Sequence, residues 1–210
     1  MHLIVGFHDG FTFYRRQFMF LSNRCVSRFM AVAFMFLLVG ALARHAQAKP
    51  PSVGDEAADF TLKTVDDEEV SLAKLRKSGP VVLIVLRGYP GYQCPVCNAQ
   101  TGQFIAAAKK FAAVKANIVL VYPGPAEELK KHAAEFARGK TFPENCYLAL
   151  DPDYAFTKAY DLRWEAKGET AYPSTFVIEP NGKALFAKVS MTHGGRTTVA
   201  EVLKALPERP

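Results

Sequence analysis

The sequence predicts an α/β fold with a central mixed sheet flanked by helices, and three observations predict it. Val81–Leu86 and Ile118–Val121 are uninterrupted aliphatic runs, the pattern of strands buried on both faces. Between them Phe104, Ile105, Ala108, Phe111 and Ala112 recur at helical spacing, which makes a βαβ unit with parallel strands. Ser174–Ile178 and Ala184–Val189 are joined by Pro180-Asn181-Gly182, strong chemistry for an antiparallel hairpin.

The remaining elements follow in order. Val53 to Leu62 reads as an extended lead-in, Val70-Ser71-Leu72 as a short strand, and Ala73 to Lys77 as one helical turn closed by Ser78-Gly79-Pro80. The loop Arg87 to Gln93 leads to a helix over Asn98 to Lys115, then a strand over Asn117 to Val121. Gly124-Pro125 opens a helix whose apolar positions are Leu129, Ala133 and Phe136. Tyr147 to Leu150 is a further short apolar run and Tyr154 to Tyr160 a short helix. Thr198-Val199-Ala200-Glu201 is a capping box, with Val199, Val202, Leu203 and Leu206 on one face before Pro207 ends the helix.

The chemistry concentrates in Cys94-Pro95-Val96-Cys97, where the first buried strand gives way to a helix. A thiol just ahead of a helix N-terminus meets unpaired amides and the positive end of the macrodipole, which favour the thiolate. Cys94 is therefore the expected nucleophile, open to solvent, and Cys97, one turn inside, its covered partner. The same spacing also supplies half of a metal site, with Cys146 and His193 as the available additions, but no second CxxC or HxxxH accompanies it. A dithiol redox pair needs no cofactor. The alternative from another class is a metallochaperone that holds copper or a similar soft ion through both thiolates, with His193 as third ligand.

Residues 1–48 read as a leader. Phe29 to Ala43 is a fifteen-residue apolar run preceded by Arg15, Arg16, Arg24 and Arg28 and followed by Ala46-Gln47-Ala48, the pattern of a signal peptide with an A-x-A cleavage site. It falls short of the roughly 20 residues that span a bilayer, and an uncleaved anchor is the second reading. The expected location is periplasmic or secreted, with any membrane attachment through this segment alone. The chain carries a formal charge of +6, but the leader holds five Arg and one Asp, so residues 49–210, one domain, keep about +2. Nothing in that balance argues for nucleic acid.

Gly54-Asp55 through Phe60-Thr61-Leu62, the CxxC after a buried strand, and Tyr172-Pro173-Ser174-Thr175-Phe176-Val177-Ile178 followed by Asn181-Gly182-Lys183 resemble the redoxin branch of the thioredoxin superfamily, which takes in alkyl hydroperoxide reductase, thiol-specific antioxidant and peroxiredoxin-like proteins. The resemblance runs from about Val53 to the last helix. It implies a thioredoxin-like fold, an antioxidant oxidoreductase that reduces peroxides or exchanges protein disulfides, and a thiol electron donor as partner. It further implies that Pro173 is a cis proline facing the cysteine pair, with Tyr172 beside it at the substrate. Peroxiredoxins resemble one another in a Pro-x-x-x-Thr/Ser-x-x-Cys loop; here Gly91 stands three before Cys94 and Arg87 seven before. The CxxC instead resembles that of a peroxiredoxin-like group in which the second cysteine closes a disulfide with the first.

Around the pair, Arg87 is either a charge for the Cys94 thiolate or a solvated loop residue, and Tyr92 and Tyr89 either wall a substrate groove or pack a Pro-Gly turn. Cys146, ahead of an apolar run, reads as a small buried residue.

Overall fold

The computed structural model describes residues 49–207, so the leader and its cleavage site lie outside the described residues. The strands are β1 (Thr61–Thr64), β2 (Glu69–Ser71), β3 (Val81–Val85), β4 (Asn117–Gly124), β5 (Cys146–Pro152), β6 (Ser174–Ile178) and β7 (Ala184–Val189). The helices are α1 (Leu72–Leu75), α2 (Pro95–Ala106), α3 (Ala108–Ala113), α4 (Ala126–Ala137), α5 (Ala155–Ala159) and α6 (Val199–Ala205). One seven-stranded sheet runs β2-β1-β5-β4-β3-β6-β7. Its centre, β5-β4-β3, is parallel, and the pairs β1/β2, β1/β5, β3/β6 and β6/β7 are antiparallel. This is the mixed sheet the sequence predicts.

Both faces are covered, which is why β3 and β4 show no polar alternation. Val82 and Ile84 of β3, with Ile118, Leu120 and Tyr122 of β4, pack under Phe104, Phe111, Phe136 and Val202 of α2, α3, α4 and α6. Val81, Leu83 and Val85, with Val119 and Val121, face the opposite way into Leu72, Phe156, Tyr160 and Phe176.

The helix expected over 98–115 differs from the one found. It begins three residues earlier, at Pro95, whose fixed φ suits the first turn, and it breaks at Ala107 (φ −91°, ψ −1°) into α2 and α3. The break lets Phe104 and Phe111 stack at 5.6 Å against the sheet and turns Ala112 outward to solvent. No glycine or proline marks it. At α5, Tyr154 is left-handed (φ 61°) and the buried Asp151 caps the turn, accepting from Phe156 N at 2.7 Å and Thr157 N at 3.0 Å. The capping box of α6 forms as read, Thr198 Oγ1 accepting from Glu201 N and Thr198 N donating to Glu201 Oε2.

Candidate active site

Where β3 ends, Gly88 takes φ +64°, and a Cβ there would stand 1.8 Å from the Pro123 carbonyl oxygen. Only glycine lets this loop lie against the end of β4. The loop is fastened further on. Gln93 Nε2 donates to the His132 carbonyl at 2.8 Å and Gln93 Oε1 accepts from Tyr122 Oη at 2.9 Å. Tyr89 stacks on the His132 ring at 3.6 Å, so it packs the loop onto α4, and His132 is held between Glu128 and Glu135 at 3.2 Å each.

The loop delivers Cys94 to the N-cap of α2, where its Sγ accepts from Cys97 N at 3.3 Å. Cys94 is 2% exposed, against the expectation of an open thiol; Cys97 is fully buried. The three cysteines among the described residues are free thiols. Cys94 is drawn down to about 5: the Cys97 thiol donates to it, burial opposes, and the Cys97 amide and the charges of Arg196 and Arg87 add to the pull. Cys97 moves the other way, pushed up first by donating to Cys94 and then by burial, with Arg196 opposing. The shared proton therefore sits on Cys97. The expected asymmetry rests on donors and cations, not on solvent.

Arg87 is 2% exposed, so the solvated alternative is excluded. Its guanidinium pairs with Glu169 at 2.7 Å and donates to Tyr92 Oη at 3.0 Å, while the Thr170 hydroxyl donates to the Arg87 carbonyl. The Tyr92 ring is half exposed beside it. Val85 pairs with Ser174, so Pro173 lies across from the end of β3 where the chain departs toward Cys94. Pro173 is buried, and its carbonyl accepts from Ser190 N at 2.8 Å. Tyr172 N donates to the Leu162 carbonyl at 2.8 Å and the Tyr172 ring stacks on Trp164 at 4.9 Å. These backbone groups are already paired within the protein.

Arg196 is the site residue that sequence reasoning missed. Its Nη2 lies 3.9 Å from Cys94 Sγ and 3.5 Å from Cys97 Sγ. Only its Gly194-Gly195 lead, which allows a tight return of the chain, hints at it in the sequence. His193, offered as a third metal ligand, instead donates from Nε2 to Glu169 Oε1 at 2.8 Å, and the Arg196 guanidinium lies against both sulfurs. Among the described residues no group of three or more His, Cys, Asp and Glu is placed to hold a metal ion. Cys146 is buried as expected, its thiol pushed up to about 12 by burial.

A buried dithiol at a helix start beneath two cations is built for thiol redox chemistry. The AhpC/TSA family matches residues 53–185, which is most of the chain. The chain belongs to that family. As an AhpC/TSA protein it is a thiol-dependent oxidoreductase with a thioredoxin-like fold. A Mycobacterium tuberculosis protein carrying a provisional peroxiredoxin name is 31% identical over 147 residues, 68% of this chain and 87% of that protein. The thiol peroxidase of Bacillus subtilis is 28% identical over 162 residues, 73% of this chain and 87% of that protein. Among solved structures, peroxidoxin BcpB from Mycobacterium tuberculosis matches with a TM-score of 0.60 at 26% identity, covering 74% of this chain and 94% of that one.

Proposed function

We propose that this chain is an exported peroxidase that works through Cys94 and Cys97. The observation that carries the reading is the Cys94 sulfur, drawn down to about 5 while almost fully covered, within reach of a second thiol. At neutral pH it is a thiolate. It attacks the peroxide to give a sulfenic acid, and Cys97 closes the disulfide, which a thiol donor then reduces. The peroxidase names of the relatives support a peroxide as substrate. The 2% exposure of Cys94 also favours a small substrate over a protein disulfide, as does the pairing of the backbone at Tyr172 and Pro173. Arg87, Tyr92, Tyr172 and Pro173 wall the approach in this reading. Export rests on residues 1–48, and the membrane is met only there.

The test is peroxide consumption with a dithiol donor. Wild type turns over and Cys94→Ser is inactive, while Cys97→Ser, reduced and then freed of donor before peroxide is added, consumes one equivalent and stops as a sulfenic acid; turnover retained in Cys94→Ser would remove the mechanism. N-terminal sequencing of protein from the native cell envelope tests export, with Lys49 as the expected first residue.

A further inference from the structure

The guanidinium of Arg196 stands over two sulfurs, and the nearer one belongs to Cys97: 3.5 Å against 3.9 Å to Cys94. It is fixed from two sides. Nη1 donates to Gln100 Oε1 at 3.2 Å, and Nε donates to the His193 carbonyl at 3.1 Å. Gln100 is itself buried and donates to the Thr197 carbonyl at 3.2 Å, so the helix that carries Cys97 and the segment leading into α6 grip the same cation. Cys94 has other support, the Cys97 amide at 3.3 Å and the field of Arg87. For Cys97, the charge of Arg196 favours ionisation, with a smaller contribution from the Arg87 backbone, against the Cys94 contact and burial.

Building on the peroxidase reading above, we propose that Arg196 is a catalytic residue of the second half-reaction, holding Cys97 as the thiolate that attacks oxidised Cys94. In the reduced pair the Cys94 thiolate keeps the shared proton on Cys97, and Arg196 works against that. The Cys94 thiolate then attacks the peroxide: the S–O bond forms, the O–O bond breaks, and the departing oxygen takes a proton as alcohol or water. Cys94 is now uncharged. What had kept the proton on Cys97 is gone, while the guanidinium has not moved. Cys97 gives up its proton and its thiolate attacks Cys94 Sγ. The S–S bond forms as the S–O bond breaks, and hydroxide leaves with that proton as water. The Cys97 sulfur is oxidised and the Cys94 sulfur reduced, so no outside reductant enters the step. One fixed cation thereby serves two nucleophiles in turn, and the passage of charge from the first to the second follows from the oxidation itself.

The two steps separate in a single-turnover experiment on the reduced protein mixed with hydrogen peroxide, with sulfenic acid trapped by dimedone and disulfide followed by loss of free thiols. An opposite charge at this distance shifts a pKa by about one to three units. Arg196→Gln is therefore expected to slow resolution at pH 7 by about tenfold or more, to raise its pH midpoint by about a unit, and to accumulate sulfenic acid. Arg196→Lys is expected to restore much of the rate. Gln100→Leu, which frees Nη1 and leaves the arginine in place, is expected to slow the same step by less, and it reads the same effect if Arg196→Gln does not fold. Resolution at the wild-type rate and pH midpoint in these variants would overturn the assignment while leaving the peroxidase reading intact. Cys97→Ser decides the latter separately: if peroxide leaves no sulfenic acid on it, both fall together.

Discussion

Cys94 and Cys146 are covered almost equally, at 2% and 4% exposure, yet their thiols are driven in opposite directions, to about 5 and about 12. Cys146 opens a strand and has no donor or cation acting on its thiol, so burial acts alone and favours the neutral thiol. Cys94 has the same cover but caps a helix, receives an amide and a thiol proton, and lies in the field of two guanidinium groups. Burial removes water from both. What replaces the water decides which sulfur is held as a thiolate.

The largest expected effect is in the ionisation itself. At pH 7 the thiolate fractions of the two cysteines should differ by on the order of 10⁵. Iodoacetamide should therefore modify Cys94 with a midpoint near pH 5 and leave Cys146 untouched; equal labelling would break the comparison. The sign extends to stability. The folded-state value of Cys94 lies below the ordinary thiol value near 8.5, so its ionisation stabilises the reduced fold fully above about pH 9 and not at all below about pH 5. Across that window the melting temperature of the reduced protein should gain on that of Cys94→Ser as pH rises.

Next in size, Cys94→Ser should lower peroxide turnover by at least about a thousandfold, whereas Cys146→Ala should stay within about twofold in a steady-state assay. Glu169→Gln leaves the Arg87 guanidinium buried without its carboxylate and should cost about 3 kcal/mol in urea unfolding. The smallest effect is at Thr198. Thr198→Ala removes the cap of α6 and should cost about 1 kcal/mol, with the Cys94 labelling midpoint unmoved; a shift of that midpoint would mean that the cap also sets the aim of Arg196.

The parts of this molecule that were legible in the sequence are those whose causes are local. The unbroken aliphatic runs of β3 and β4, the Asn181-Gly182 turn and the Thr198–Glu201 box each carry their reason within a few residues. Cys94 at a helix start is legible for the same reason. Arg196 is not, because it reaches Cys94 across 102 residues of chain and only the folded sheet brings the β7–α6 connection over α2. Glu169 was hidden likewise: a carboxylate in a polar loop looks solvated until Arg87 is seen buried against it. The break at Ala107 has no local signal, since Phe104 and Phe111 are set by packing against the sheet.

The loop from Arg87 to Gln93 is pinned by Arg87 on Glu169, by Gly88 against Pro123, by Tyr89 on His132, and by Gln93 on α4. Ordering a backbone residue costs about 1–2 kcal/mol in conformational entropy. Here that cost is met once, when the chain folds, and not at each encounter with substrate. In the proposed peroxidase, the Cys94 sulfur consequently waits in a fixed direction, and a small substrate that gives little binding energy of its own need not organise the site before it reacts.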